Sequence, residues 1–275
     1  MLSRTKKFVL IILIIYLLLI TWQFVTAAKE GAGLIPANGK AVDISVMLFF
    51  SIQPNGWNEN IINLVMMLAF VPTFGAGLLI YCKNNNMFGS VQQRVGYHKF
   101  LKIGVINSFV VGFLFSLITN IYQLALISVF YYPFFFKTRP LKLYIGARPG
   151  YFSTNQLIDL CSYVTLAAVG WGIFAILIFS IGLFVSKNSI YLVLGPCVGL
   201  GLTLLSILIS MGSKFWLFVS YSWFPFAVLA PGQFALGSRL PPINSYLLFM
   251  VVALLYLLFA AYLIKLWQQQ KRRLG

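Results

Sequence analysis

Acidic side chains are scarce in this sequence. Four Asp and Glu stand in 275 residues against twenty Lys and Arg, and charged residues of both signs make up only 9%. A soluble domain carries about 25% charged and roughly 45–50% apolar residues; here 60% are hydrophobic and 17% aromatic. So few charges cannot cover a water-soluble body of this size. That excludes a soluble enzyme, and the same composition excludes a disordered or collagen-like chain. The single histidine, His98, excludes a multi-histidine metal site, and no metal ligands are assigned. Cys82, Cys161 and Cys197 lie far apart, with neither CxxC spacing nor the density of a disulfide scaffold. They are expected to be buried small hydrophobes. A surplus of sixteen positive charges would suit nucleic acid, but the basic residues stand at the ends of long apolar runs. That placement belongs to a membrane protein, and no nucleic-acid partner is expected.

A spanning helix takes about 20 apolar residues. Seven uncharged runs reach that length: residues 8–28, 60–82, 103–136, 160–186, 188–213, 215–238 and 240–264. The first follows Arg4, Lys6 and Lys7. It exceeds the roughly 7–15 residues of a signal's hydrophobic region, and Thr26-Ala27-Ala28 is a poor cleavage match. An uncleaved first helix with a cytoplasmic N-terminus is expected.

Run 215–238 differs from the others. It carries Pro225, Pro231 and Gly232, and its first half is crowded with Trp216, Tyr221, Trp223 and Phe224. Such aromatics favour the membrane–water interface, and interior prolines remove hydrogen bonds that lipid cannot replace. A broken re-entrant or interfacial segment before the last helix suits this composition. The expected fold is therefore an all-α integral membrane protein forming one domain over 1–275. It has about six transmembrane helices, near 8–28, 60–82, 103–131, 160–186, 190–211 and 243–264, and both termini are cytoplasmic. The connections are a cytoplasmic loop 83–102 and outer loops 29–59, 137–159 and 212–242. This arrangement puts twelve Lys and Arg inside and eight outside, with all four acids outside. Splitting 103–136 at Thr119-Asn120 would improve that tally, but 34 residues leave nothing for a turn between two minimal spans of roughly 17 residues.

The expected spans contain no carboxylate, lysine or histidine, the usual carriers of proton relays and ion sites. No paired acids or acid–histidine combination suits a membrane enzyme, so no catalytic residue is assigned. Gly39-Lys40 lacks the rest of a phosphate-binding loop, so any nucleotide that drives this chain must bind elsewhere. Neither a fixed-period repeat nor inverted halves mark a secondary transporter.

Segment 83–102, KNNNMFGSVQQRVGYHKFLK, is the most informative. Three asparagines favour a turn, and Phe88, Val91 and Val95 fall on one helical face. Gly96 allows a bend, and Arg94, His98, Lys99 and Lys102 add positive charge. The element can lie on the inner leaflet as a plain basic anchor or present a helix to a protein docked beneath.

With its six helices, no ATP site and Gln93-Arg94-Val95-Gly96-Tyr97-His98-Lys99-Phe100 before the third helix, the chain resembles the permeases of type-2 ABC exporters. The interrupted segment around Trp223, Phe224, Pro225, Pro231 and Gly232 is similar to the outer hairpin before the last helix of such permeases. The short N-terminal part and the long 29–59 loop depart from the simplest members.

The resemblance implies two ATP-binding subunits, which carry ATP and Mg, and a second permease copy or a related permease in a lipid bilayer. No cofactor is expected in this chain. Phe88, Val91, Arg94, Tyr97 and Lys99 would couple it to the ATP-binding subunit. Pro72, Gly75 and Gly77, with Gly195, Pro196 and Gly199, would kink helices two and five. They would pack either between permeases or within one chain. The substrate would be amphiphilic or hydrophobic, a peptide, lipid-linked molecule or drug, unless Asn107, Asn120 and Thr203 form a polar path. A bacterial plasma membrane is the expected location. The competing reading is a non-transporting immunity, sensor or interaction protein that uses 137–159 and 215–224 as its contact surface.

Overall fold

A computed structural model describes residues 2–32, 44–53, 59–85, 96–138, 152–233, 236 and 243–274. Their regular elements are helices: α1 (Leu2–Ala32), α2 (Ile44–Ser51), α3 (Glu59–Asn84), α4 (Tyr97–Phe130) and α5 (Gln156–Gly182), followed by α6 (Asn188–Ser210), α7 (Lys214–Trp223), α8 (Phe226–Leu229) and α9 (Ser245–Leu274). Five of them, α3, α4, α5, α6 and α9, are long and apolar enough to cross a bilayer, and α1 contributes the apolar stretch Leu13–Lys29. The chain is a helical, multi-pass membrane protein.

An asparagine cap and a glycine turn start two of the long helices. Asn155 caps α5, its side chain accepting from the N–H groups of Leu157 and Ile158. Gly96, at φ +76°, makes the turn into α4, a backbone conformation that only glycine adopts without strain. α4 then runs 34 residues without interruption, through Thr119 and Asn120. At 1.5 Å per residue it is ~51 Å long, well beyond a ~30 Å hydrocarbon core. The third long helix thus begins at Tyr97 rather than near 103, and the 83–102 segment ends inside it. Pro72 and Pro196 both sit within continuous helices.

Neighbouring long helices alternate in direction. Gly75 of α3 meets Ser108 of α4, Gly112 of α4 meets Trp171 and Gly172 of α5, and Leu68 of α3 meets Gly195 and Gly199 of α6. α5 is the axis of the bundle, with Trp171, Phe174 and Phe179 buried in a continuous apolar core.

Segment 214–233 is a broken hairpin. α7 stops at Phe224-Pro225, α8 supplies one turn, and the chain reverses at Pro231-Gly232, where Gly232 has φ +75°. The backbone of Val228 lies against Gly170, about 14 residues or ~21 Å into α5. Tyr256, about 11 residues into α9, donates to the Trp223 carbonyl at 2.8 Å. α7 and α8 therefore pack against the N-terminal halves of α5 and α9. Tyr221 and Phe224, expected at an interface, are buried, whereas Trp216 and Trp223 are exposed.

Two further expectations are corrected. Cys161 and Cys197 are free and exposed, on helix faces turned away from the bundle. The 29–59 connection is not a simple outer loop. It contains α2, whose Val46, Leu48, Phe49 and Phe50 are buried in the core. Eight residues are too few to span, so the run escapes a search for spans, yet its apolarity demands burial.

Candidate functional site

The sequence-selected residues fall into two places, and buried polar side chains gather at a third. The first is the end of the bundle where α3 stops and α4 starts. Lys83, in the last turn of α3, donates to the carbonyls of Gly182 (3.0 Å), Leu183 (2.8 Å) and Val185 (2.7 Å). Those groups end α5, and a helix end leaves carbonyls without helical partners and carries partial negative charge. One lysine thus closes three acceptors and ties α3 to the α5–α6 turn. Beside it, Asn84 donates to Asn188, the first residue of α6, at 2.8 Å. Lys271 of α9 is near enough to repel Lys83 electrostatically. Lys99 is exposed in the first turn of α4, and Tyr97 opens that helix. Phe88, Val91 and Arg94 lie outside the described residues. The capping role of Lys83 was missed in the sequence, where it served only to mark the end of a run.

The second place is the set of helix crossings. A Cβ on Gly195 would stand 1.9 Å from the Leu68 carbonyl oxygen. Pro72 lacks the N–H that would normally bond that carbonyl within α3, and glycine lets α6 close over it. Tyr191 donates to the Pro72 carbonyl at 3.0 Å from the same side. Gly199 faces the Leu68 side chain and Gly75 the backbone of Ser108, while Gly77 has ordinary contacts with Thr73 and Tyr191. Pro72, Gly75, Gly195 and Gly199 are all buried, and their contacts are within the chain. The hairpin residues Phe224, Pro225 and Pro231 are buried with them in the bundle's interior, Gly232 is half-buried, and Trp223 lies at the surface. Tyr221, Phe226 and Ser245 help to line a cavity of about 10 Å³ there, room for one water.

The third place was not foreseen. At the end of the bundle opposite Lys83, neutral polar side chains from three long helices converge on the residues after α2, and a fourth helix adds Asn63 behind them. Gln23 of α1 donates to the Ile52 carbonyl at 2.9 Å. Gln53 donates to Gln123 of α4 at 3.0 Å and accepts from the Tyr163 hydroxyl of α5 at 3.0 Å. Asn63 of α3 donates to Gln23 at 3.2 Å. All five are at most 5% exposed, and the Asn63 Oδ1 has no partner. The other end of α2 is held by Ser45, whose hydroxyl donates to the Tyr132 carbonyl at 2.7 Å. Nearby, burial pushes the Tyr131 hydroxyl above the ordinary tyrosine range. A carboxamide inside an apolar run was the available signal, but pairings 29 to 110 residues apart carry no local pattern.

Asn107, Asn120 and Thr203 do not share one surface. Asn107 is exposed, Asn120 is buried with its amide bonded to the Ser116 carbonyl, and Thr203 bonds back to Gly199. Among the described residues no three His, Cys, Asp or Glu side chains come together. No protein-family model, characterised protein or solved structure matches the chain.

Proposed function

We propose that this chain is the membrane-spanning permease of a transporter driven by a separate ATP-binding chain, of the kind found in type-2 ABC exporters. In this reading α1 is a sixth span, both termini face the cytoplasm of a bacterial cell, and α7–α8 is a re-entrant hairpin on the outer side. The substrate is amphiphilic or hydrophobic, and a second permease completes the transport unit.

The observation that carries the reading is the Lys83 junction. Segment 83–102 joins α3 to α4; its first residue, Lys83, is bonded to the end of the most buried helix, and its second, Asn84, to the start of α6. A push on that segment from below is delivered to α3, α4, α5 and α6 together, which is what a docked, ATP-driven subunit requires. α4 and α9, ~51 Å and ~45 Å long, exceed the bilayer core and leave turns on that side for a partner to meet.

Two measurements test the reading. Purification of the chain from its native cell in mild detergent should bring down a stoichiometric chain that carries a phosphate-binding loop. In that complex, Arg94→Ala with Tyr97→Ala should abolish substrate stimulation of ATP hydrolysis while insertion and yield stay normal. Recovery of the chain alone, in more than one detergent, would favour the interaction-protein reading instead.

A further inference from the structure

We infer that the outer end of the bundle holds a recognition site for the amide groups of a hydrophobic peptide, and that the chain's own Ile52–Gln53 fills it in this structure. Side chains from three long helices converge on two consecutive residues that belong to none of them, and Asn63 of a fourth backs one of those side chains. Gln23 and Tyr163 act as donors, to the Ile52 carbonyl and the Gln53 carboxamide oxygen, and Gln123 accepts from the Gln53 carboxamide nitrogen. Together they meet a carbonyl and an N–H, the two groups of a peptide amide, while the Gln53 nitrogen also donates to the Phe49 carbonyl of α2 at 3.1 Å. Just before it in the chain, Phe49 and Phe50 both stand edge-on to Tyr163, with ring centroids 6.0 and 5.4 Å away, so apolar side chains have seats next to the amide contacts. The Asn63 Oδ1, buried and without a partner beside Gln23, is an acceptor in reserve that a further peptide N–H would satisfy.

A buried donor or acceptor that loses its partner carries its full desolvation penalty, so a ligand that displaces α2 has to offer the same hydrogen-bonding pattern. A site of this kind also discriminates strongly, because a ligand lacking the amide leaves the same groups unpaired. The peptide is the cargo class of the transporter proposed above, and in that respect the inference rests on that reading. The binding itself does not, and it is measured on this chain without an ATP-binding partner.

The probe is a fluorescent, C-terminally amidated peptide with the sequence of residues 48–53, added to the full chain in lipid nanodiscs. A control peptide ends in Leu instead of Gln. Ser45→Ala loosens α2 at its far end and leaves every side chain of the site in place; Gln53→Leu removes the internal ligand. Each should tighten probe binding about tenfold, because the competent fraction of the site rises. The control should bind at least tenfold more weakly than the probe. Adding Gln123→Leu and Tyr163→Phe to Ser45→Ala should cancel the gain. Equal binding of the two peptides, or no gain in Ser45→Ala, overturns the site, and Ser45→Ala keeps the test alive if Gln53→Leu does not fold. If probe binding follows this pattern while no ATP-binding chain associates, the permease reading falls and the site stands. If ATP coupling is present and the probe pattern is absent, the site falls alone.

Discussion

α5 and α6 are neighbours in the chain, of similar length and apolarity, yet 72% of the most apolar window of α5 is buried against 17% for α6. Hydropathy cannot tell such helices apart, because lipid and a protein core look alike to an apolar side chain. Glycine does tell them apart. On α5, Gly170, Gly172 and Gly182 each meet a neighbouring element closer than a Cβ would allow, on three different contacts. On α6, Gly195 and Gly199 point to one neighbour, α3, and Gly201 faces open space. A helix with close contacts on several sides is central, and one with contacts on a single side is peripheral. Leu192, Leu204 and Leu208 belong to an exposed apolar face of α6.

The sharpest way to break the contrast is Gly170→Ala. The new methyl would stand 1.8 Å from the Val228 carbonyl oxygen and 2.6 Å from its carbon, both backbone, so no side chain can swing aside. Overpacking of this kind costs about 1–3 kcal/mol, and the helix-propensity gain of up to ~1 kcal/mol works against it. A net loss of stability is expected, with the hairpin displaced. Thermal unfolding in detergent, together with faster proteolysis at the Pro231-Gly232 turn, would register both. An unchanged midpoint would mean that α8 does not pack on α5 as described.

The same contrast shows what could be read without coordinates. The long helices were legible because charges bound them: Lys83, Asp159, Lys187 and Lys214 stand within a few residues of observed helix ends. The break at Phe224-Pro225 and the turn at Gly232 were legible from residue chemistry. α2 was not, since a run of eight residues is below any spanning threshold. The convergence of Gln23, Gln53, Asn63, Gln123 and Tyr163 was not either. Each is an ordinary polar interruption, and only the fold supplies its partner. Gly75, Gly195 and Gly199 were recognisable as sites of close approach, but a sequence does not say whether the partner helix belongs to the same chain.

Lys83→Met should have a smaller and more local effect. It deprives the carbonyls of Gly182, Leu183 and Val185 of their shared donor. Unpaired buried acceptors cost about 1–3 kcal/mol, and the lower end applies here, where Lys83 is only half-buried and water can partly replace it. The last turn of α5 should then fray. Amide hydrogen exchange at 179–186 should rise several-fold while exchange around Trp171 stays slow, and Lys83→Arg should restore protection. Uniform exchange changes along α5 would mean that the lysine supports the whole helix and not its end.

Gly201→Ala is the smallest and the cleanest of these changes. Nothing lies within 4 Å of the position a Cβ would take, so the substitution alters no packing within the chain. Only the backbone preference changes, which favours alanine in a helix by up to ~1 kcal/mol. The thermal midpoint of the isolated chain should stay level or rise slightly, opposite in sign to Gly170→Ala. If this face of α6 meets only lipid, any larger assembly should be equally indifferent. A loss of stability or self-association in Gly201→Ala, in the intact membrane but not in the isolated chain, would place another protein helix against α6. The peripheral member of the pair would then be the one that carries the contact with that partner.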